Sequence, residues 1–246
     1  MNTRSVEFPM TKCLAIFSAA ALVCCLSASS ALAQDDAAGE APEPRARTLG
    51  ILLYPGFELL DACGPAEMFG SLGPLMKIVT VADQAGPVKS TQGVHVVADF
   101  AYDDCPHLDL VLVPGGFGTF QAVAKPELME WVKESAEKAE ITTSVCSGSV
   151  ILAKAGLLDD RPATSNKQYY TLCTKQGGDK VNWVKEARWV DDGNIVTSSG
   201  VSAGMDMALH VISRLYGEEA AVRIANGTEY QWHRDADVDP FAKFAQ

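Results

Sequence analysis

A cysteine at the junction of an apolar run and a helix is the residue of this sequence best placed to do chemistry. Residues 143–150 read T-S-V-C-S-G-S-V, so Cys146 follows a strand-like run with almost no loop. Small residues at 144 and 148 allow the backbone to reverse there, which is the spacing of a nucleophile elbow with cysteine in place of serine. The start of a helix would also favour thiolate over thiol. Spacing alone leaves two alternatives open, a nucleophile or a small buried thiol.

A nucleophilic thiolate needs hydrogen-bond donors that stabilise developing negative charge. Residues 114–118 read P-G-G-F-G and follow another apolar run, so their amides are unhindered. We therefore expect Gly115 and Gly116 to form one half of an oxyanion-binding pair, and the amide of Ser147 to form the other. The alternative is a strand-to-helix turn that only requires glycine conformations.

A proton donor and acceptor is expected from the end of the first strand, where residues 54–61 read Y-P-G-F-E-L-L-D. Asp61 lies in an apolar set and should point inward, whereas Glu58 should face water. Burial and a neighbouring thiolate would raise the pKa of Asp61, which suits proton exchange near neutral pH. The alternative for Asp61 is a helix cap.

Histidine, the usual base of cysteine hydrolases, is not adjacent to Cys146 in the sequence. The chain has four histidines, and no spacing recommends one of them: His95, His107, His210 and His233. The cysteines show no metal-binding or disulfide spacing either. If Cys146 stays free to react, at most one disulfide can form among Cys63, Cys105 and Cys173. We expect no metal and no cofactor.

The elements that must position these residues alternate between strand and helix. Apolar runs predict strands at 48–54, 77–82, 94–98, 108–113 and 141–145, and helical spacing predicts helices at 57–69, 126–139 and 147–156. A hairpin over 187–199, turning on Asp192 and Gly193, precedes helices at 202–216 and about 218–230. This order indicates an α/β protein with a mostly parallel sheet covered on both faces. Such sheets bind ligands at the carboxyl ends of their strands.

Length and composition predict one domain preceded by a targeting segment. With 246 residues, 48% of them hydrophobic, the chain can build one sizeable core. Residues 1–33 have a basic start, an apolar run and A-L-A at the end, which is typical of a signal peptide. Residues 34–46 form a polar, proline-containing leader, and we place the folded domain at 47–246. An uncleaved membrane anchor is the alternative for the first segment.

The charge of the chain limits its partners. Without residues 1–33 it carries 18 Lys and Arg against 30 Asp and Glu, a net charge of −12. This acidity argues against nucleic acid or an anionic membrane surface as a partner. We expect an exported protein, periplasmic or secreted, that does not associate with the membrane after signal cleavage and acts on a small molecule.

Four motifs in the same order resemble those of the ThiJ/PfpI superfamily, in particular its isonitrile hydratase-like branch. They are Y-P-G-F-E-L-L-D-A-C-G-P-A-E-M-F, V-P-G-G-F-G, S-V-C-S-G-S-V-I-L-A-K-A-G-L-L-D-D-R-P-A-T and T-S-S-G-V-S-A-G-M-D-M-A-L. The resemblance spans about residues 48–240. It implies a flavodoxin-like α/β sandwich, commonly a homodimer, with a nucleophilic cysteine on a strained elbow and an acidic residue beside it. Cys146 and Asp61 match those two positions.

The sequence departs from this pattern at three places. Ser147 stands where such enzymes often have threonine, which keeps the hydroxyl. Asn166, in A-T-S-N-K, stands where relatives often have histidine, which weakens a Cys–His amidase or protease interpretation. The signal peptide is unusual in a superfamily that is mostly intracellular. Cys63, Asn166 and Ser199 are further candidates to line the pocket.

Three functional hypotheses follow. The first is a hydratase or lyase without a cofactor that acts on a small electrophile, with an isocyanide as lead substrate, Cys146 as nucleophile and Asp61 as acid and base. The second is another superfamily activity, such as an amidase, glyoxalase or deglycase. The third is a non-enzymatic, redox-responsive envelope protein whose Cys146 is oxidised.

Overall fold

Apolar runs that end at glycine or proline form the strands of a seven-stranded sheet in the computed structural model, which describes residues 44–245. The strands, in chain order, are β1 (Arg47–Leu52), β2 (Met76–Ala82), β3 (Gly86–Lys89), β4 (His95–Ala98), β5 (Phe100–Ala101), β6 (Leu110–Val113), β7 (Ile141–Val145), β8 (Pro162–Ala163), β9 (Asn182–Trp183), β10 (Trp189–Asp192) and β11 (Ile195–Ser198). The order across the sheet is β10-β11-β7-β6-β1-β2-β5. All neighbours are parallel except β10 and β11.

Helices cover both faces of this sheet. They are α1 (Leu59–Gly70), α2 (Thr119–Ala122), α3 (Pro126–Lys138), α4 (Gly148–Lys154), α5 (Tyr170–Gly177), α6 (Ala203–Tyr216) and α7 (Glu218–Gly227). Helices α1, α6 and α7 pack together on one face, and α2 to α5 lie on the other. The pattern of helix α3 explains how such a helix covers the sheet. Its buried residues recur at helical spacing and are Leu128, Trp131, Val132 and Ala136. One stripe of the helix therefore packs on the sheet, and the rest faces water.

The middle of the sheet places three strand ends side by side. Every residue of β6 and β7 is buried, as expected for parallel strands covered on both faces. The register pairs Ile51 of β1 with Leu112 of β6, and Val113 with Ser144 of β7. The chain first runs from β1 to β2 on one side and later returns to β6 on the other. The carboxyl ends of β1 and β6 therefore form a topological switch point, and β7 ends beside them.

The observed elements confirm the predicted α/β class and mostly parallel sheet. Strand β7 has the predicted bounds, and the hairpin of β10 and β11 is present. Strand β4 lies within the strand predicted at 94–98, but several short elements were not predicted, among them α5 and β3, which pairs antiparallel with β4. All four cysteines among the described residues are free thiols, so no disulfide staples this domain.

The predicted signal peptide, residues 1–33, and residues 34–43 of the leader lie outside the described residues. Within residues 44–245, no helix combines the length and the apolar character that crossing a bilayer would require.

Candidate active site

The backbone at Cys146 is held in an uncommon conformation between β7 and α4. Its φ angle is +59°, in the left-handed region that non-glycine residues seldom adopt. The Cys146 amide donates to the carbonyl oxygens of Ser198 and Ser199 at 3.2 and 3.1 Å. A Cβ on Gly148 would lie 2.1 Å from the Val113 oxygen, so the turn requires glycine there. The thiol is therefore fixed at the carboxyl edge of the sheet.

Asp61, in the first turn of α1, is the carboxyl group beside this thiol. It is fully buried, and its Oδ2 accepts a hydrogen bond from the Gly115 amide at 2.9 Å. Its Oδ1 is buried without a hydrogen-bond partner among the described residues. Burial raises the pKa of Asp61 to about 8, and the charge of Glu58 adds to the rise, whereas the Gly115 amide and the Cys146 thiol oppose it. The carboxyl group consequently carries a proton at neutral pH.

Burial also raises the pKa of the Cys146 thiol well above its usual value, and the negative charge of Asp61 adds to the rise. Hydrogen bonds from the Ser147 amide and the Asn166 side chain oppose it. Asn166 Nδ2 donates to Sγ at 3.0 Å, while its Oδ1 accepts from the Tyr169 amide at 2.9 Å. That second bond orients the side-chain amide with its donor towards sulfur. Negative charge on sulfur would thus be stabilised by two donors.

A chain of buried hydrogen bonds ties the loops after β1, β6 and β7 together. The Tyr54 hydroxyl donates to the Pro114 oxygen at 2.7 Å and lies 2.9 Å from Thr119 Oγ1. Thr119 Oγ1 lies 3.0 Å from Ser147 Oγ, which also accepts from the Gly116 amide at 3.0 Å. Because each hydroxyl has a partner, the network can be buried without an energetic penalty.

The amides of Gly115 and Gly116 do not contribute to the oxyanion-binding pair that we expected, because each is hydrogen-bonded to another group. The Gly115 amide is bonded to Asp61, and the Gly116 amide to Ser147 Oγ. A Cβ on Gly115 would lie 2.6 Å from the Ser147 nitrogen, so this position permits close contact between two loops. We therefore assign Gly115 and Gly116 to positioning Asp61 and Ser147. An oxyanion role stays a prediction for the Ser147 amide alone.

A cavity of about 230 Å³ opens onto the thiol. Its lining residues are Glu58, Gly116, Phe117, Phe120, Cys146, Ser147, Asn166, Gln168, Tyr169, Cys173 and Val201. Glu58 was expected to face water, but it is half-buried, lines this cavity and accepts a hydrogen bond from Gln92. None of the four histidines lines the cavity. A Cys–His pair is thus not assembled here.

One of the three pocket candidates, Cys63, needs correction. Cys63 is exposed and lines neither this cavity nor the chamber described next. Two residues along a helix turn the side chain by about 200°, so Cys63 faces away from Asp61. Ser199 lies beside the site, where its carbonyl accepts from Cys146, but its hydroxyl is bonded to Asp239. Asn166 is the candidate that contacts the thiol directly.

Ser199 lines a second chamber of about 650 Å³ next to the thiol cavity. The two spaces share Asn166, Gln168 and Val201 in their linings. Lys167, a buried lysine that the sequence analysis did not single out, also lines the second chamber. Its Nζ donates to Thr164 Oγ1 at 2.6 Å, and burial lowers the pKa of Lys167 to about 8. The sequence signal that could have identified Lys167 is its position in A-T-S-N-K, next to Asn166.

Cys173 is a second buried thiol of the cavity lining that sequence reasoning missed. It comes from α5, a helix that was not predicted, so no sequence signal pointed to it. Among residues 44–245, no three His, Cys, Asp or Glu side chains are grouped so that they could hold a metal ion.

An open, mostly parallel sheet with helices on both faces, and with a cysteine and a carboxyl group at its switch point, defines a class of flavodoxin-like α/β proteins. The sequence model of the DJ-1/PfpI family matches residues 47–214. The chain therefore belongs to the DJ-1/PfpI family, which confirms the resemblance found in its motifs.

Individual relatives agree with this assignment. The chain is 34% identical to an isonitrile hydratase from Pseudomonas putida over 182 residues, which cover 74% of this chain and 78% of the relative. It is 29% identical over 179 residues to the HTH-type transcriptional regulator CdhR from Pseudomonas aeruginosa, covering 71% of this chain but only 52% of the regulator. A crystal structure of a ThiJ/PfpI family protein from Pseudomonas syringae superposes with a TM-score of 0.70 at 34% identity, covering 82% of this chain and 80% of that one.

Proposed function

We propose that this protein is a cysteine-dependent enzyme that hydrates isocyanides to N-substituted formamides with its own side chains. The observation that carries the proposal is the buried pair of Cys146 and Asp61, in which the pKa of Asp61 is about 8. A carboxyl group with such a pKa can both give and take a proton near neutral pH. Similarity to an isonitrile hydratase supports the same reaction.

The first step joins sulfur to the terminal carbon of the isocyanide, R–N≡C. Asp61 gives its proton to that carbon while the Cys146 sulfur bonds to it, and the thiol proton passes to the carboxylate. The product is a thioimidate, R–N=CH–S–Cys146, with Asp61 protonated again. Covalent attachment divides a difficult hydration into two easier steps.

The second step adds water to the thioimidate. Asp61 protonates the nitrogen, and its carboxylate then takes a proton from the attacking water, which gives R–NH–CH(OH)–S–Cys146. Asp61 then gives its proton to the leaving sulfur as the C–S bond breaks, and its carboxylate accepts the hydroxyl proton as the carbonyl group forms. The formamide leaves and the thiol is restored.

The surrounding groups suit this chemistry better than an amidase reaction. Asn166 Nδ2, 3.0 Å from Sγ, and the Ser147 amide would stabilise the departing thiolate. An amidase of the Cys–His type needs an imidazole beside the sulfur, whereas here an amide occupies that place. A thiol with a raised pKa is also poorly suited to rapid oxidation by peroxide, which disfavours the redox-sensor hypothesis.

The test is turnover of a simple alkyl isocyanide, with the formamide measured by NMR. We expect formamide from the wild type, and a loss of more than a hundredfold in Cys146→Ala and Asp61→Asn. Cys63→Ala, which removes an exposed thiol of α1, is the matched control and should keep full activity. No formamide from the wild type, or undiminished formamide from Cys146→Ala, would contradict the proposal.

We further propose that the protein works outside the cytoplasm and as a homodimer. The features of residues 1–33 support export. Cell fractionation of the native chain checks the first point, and light scattering of the purified domain checks the second. A cytoplasmic protein with an intact amino terminus would contradict export, and a monomer at micromolar concentration would contradict the dimer.

A further inference from the structure

One acidic side chain lines the thiol cavity, and no basic side chain balances its charge. Glu58 is the charged residue of the lining, whose other members are apolar, aromatic or uncharged polar residues. Among residues 44–245, none of the ion pairs formed by Lys, Arg or His includes Glu58. Lys167, next to Asn166, lines the second chamber and not this cavity. The cavity therefore carries an uncompensated negative charge.

Hydrogen bonds hold this carboxylate in place without neutralising it. Glu58 immediately precedes α1, and its amide donates to the Gly115 oxygen at 2.7 Å. Its Oε1 accepts from the side-chain amide of Gln92, whose oxygen accepts from the Leu59 amide at 3.0 Å. That second bond orients the Gln92 amide with its donor towards Glu58. A neutral donor leaves the charge of the carboxylate in place, and the effect of that charge on the pKa of Asp61 shows that it acts within the site.

Three aromatic rings line the same cavity as Glu58, those of Phe117, Phe120 and Tyr169. The centroids of the Phe117 and Tyr169 rings are 5.5 Å apart and their planes are inclined by 71°, so the two rings form walls at nearly a right angle. These two residues are 58% and 40% exposed, so neither ring is fully packed into the core. The face of an aromatic ring carries negative partial charge and attracts cations. Such walls together with a carboxylate favour an ammonium group over a neutral or anionic one.

We propose that the thiol cavity recognises a small electrophile that carries an ammonium group, which Glu58 and the three aromatic rings bind while Cys146 acts as the nucleophile. The inference rests on the proposed function for the role of Cys146, and it names the substrate class of that function as an isocyanide with a cationic substituent. The cavity of about 230 Å³ is below the roughly 300–1,000 Å³ usual for small-molecule sites, which suits a small ligand.

The experiment compares two thiol-specific probes of the same shape and different charge. Trimethylammonioethyl methanethiosulfonate is a cation, and neohexyl methanethiosulfonate has a carbon atom in place of the nitrogen. The rate at Cys146 is followed by peptide mass spectrometry without reduction, and the ratio of the two rates is divided by the same ratio for a small thiol in solution. We expect this normalised ratio to favour the cation by about tenfold in the wild type. A ratio near one would overturn the inference.

Variants assign the preference to the cavity lining. Glu58→Gln removes the charge and should abolish most of the preference; because it also alters the pKa of Asp61, the ratio of the two probes is the readout and not either rate alone. Phe117→Leu/Tyr169→Leu keeps apolar walls without ring faces and should lower the ratio about threefold. Glu67→Gln, an exposed change in α1 that does not line the cavity, is the matched control for net charge and should keep the wild-type ratio. An equal ratio in wild type and Glu58→Gln, or an equal loss in Glu67→Gln, would overturn the inference.

A third probe tests the sign of the charge. Sulfonatoethyl methanethiosulfonate is an anion and should react most slowly of the three at Cys146; if it reacts faster than the neutral probe, the inference is overturned. These readouts do not depend on isocyanide turnover. A protein that prefers the cationic probe but forms no formamide would contradict the proposed function and leave the cation site in place. Formamide production without any preference for the cationic probe would do the reverse.

Discussion

At the scale of single residues, the site depends on two neighbouring acids whose pKa values are both raised, chiefly by burial. Cys146 and Asp61 are both buried at the carboxyl edge of the sheet, so neither ionises easily. The pair therefore loses its first proton at a higher pH than an ordinary carboxyl group would. A protonated carboxyl group that stays beside a thiol at neutral pH is what the proposed first step requires. The pH dependence of the reaction should report this pair.

We predict that kcat/KM for isocyanide hydration falls above about pH 8, because the acid form of Asp61 supplies the proton to carbon. The decline should approach tenfold per pH unit. Glu58→Gln is the diagnostic variant: the charge of Glu58 raises the pKa of Asp61, so its removal should move the decline to lower pH. An activity that keeps rising through pH 9, as for a reaction limited by thiolate, would contradict this assignment.

Asp61→Asn should stabilise the fold while it abolishes activity. In the folded protein the pKa of Asp61 is about 8, against 3.8 ordinarily, so folding is penalised once the unfolded chain loses its proton. The penalty is absent below about pH 4, grows as pH rises and levels off above pH 8. Denaturant unfolding should show the advantage of Asp61→Asn growing by about 3 kcal/mol between pH 5.5 and pH 8. An advantage independent of pH would exclude a raised pKa.

At the scale of elements, the strands and long helices were predictable, because each carries its own pattern. The run I-T-T-S-V predicts β7 residue for residue, and the small residues around Cys146 predict the tight turn to α4. Asp61 is predicted to face inward because its neighbours are apolar, and it is fully buried.

Contacts that depend on packing between distant segments could not be predicted. Cys63 was assigned to the pocket by proximity in sequence, although helical geometry turns it away. The bond from Asn166 to sulfur depends on how residues 164–169 fold over α4. The second chamber is lined in part by Phe241, from a segment about 100 residues beyond Cys146. No local pattern encodes such contacts.

The loop that carries Gly200 should control the contact between Asn166 and sulfur. A Cβ on Gly200 would lie 2.5 Å from Asn166 Nδ2, so Gly200→Ala must displace the side-chain amide. Loss of a donor to the thiolate should raise the pKa of Cys146 and slow its alkylation at pH 8 by about tenfold or more.

Gly227→Ala is the matched control for this substitution, since nothing lies within 4 Å of its added Cβ. Its alkylation rate should equal that of the wild type. Asn166→Leu should reproduce the slow rate, and Gly200→Ala should then add little to it. Additive effects of the two substitutions on the alkylation rate would show that Gly200→Ala does not act by displacing the Asn166 side chain.

At the scale of the whole molecule, the site joins both ends of the described chain. Asp61 comes from the first helix and Cys146 from the middle of the sheet, and the second chamber beside them is lined in part by Phe241 and Phe244. The last segment is held by a buried ion network in which Arg188 Nε donates to Asp206 at 2.7 Å and Nη1 lies 3.6 Å from Asp239. The same segment therefore contributes to stability and shapes the site.

Asp239→Ala should weaken the whole fold as well as the chamber. The substitution leaves the buried Ser199 hydroxyl without its acceptor and Arg188 with Asp206 as its remaining partner, which should cost about 2–4 kcal/mol in free energy of unfolding. Amide hydrogen exchange should rise over residues 235–245. Asp237→Ala, an exposed change in the same segment, should alter stability by no more than about 0.5 kcal/mol. If the two variants are equally stable, the network does not hold the segment, and residues 241–244 must be positioned by their apolar contacts alone.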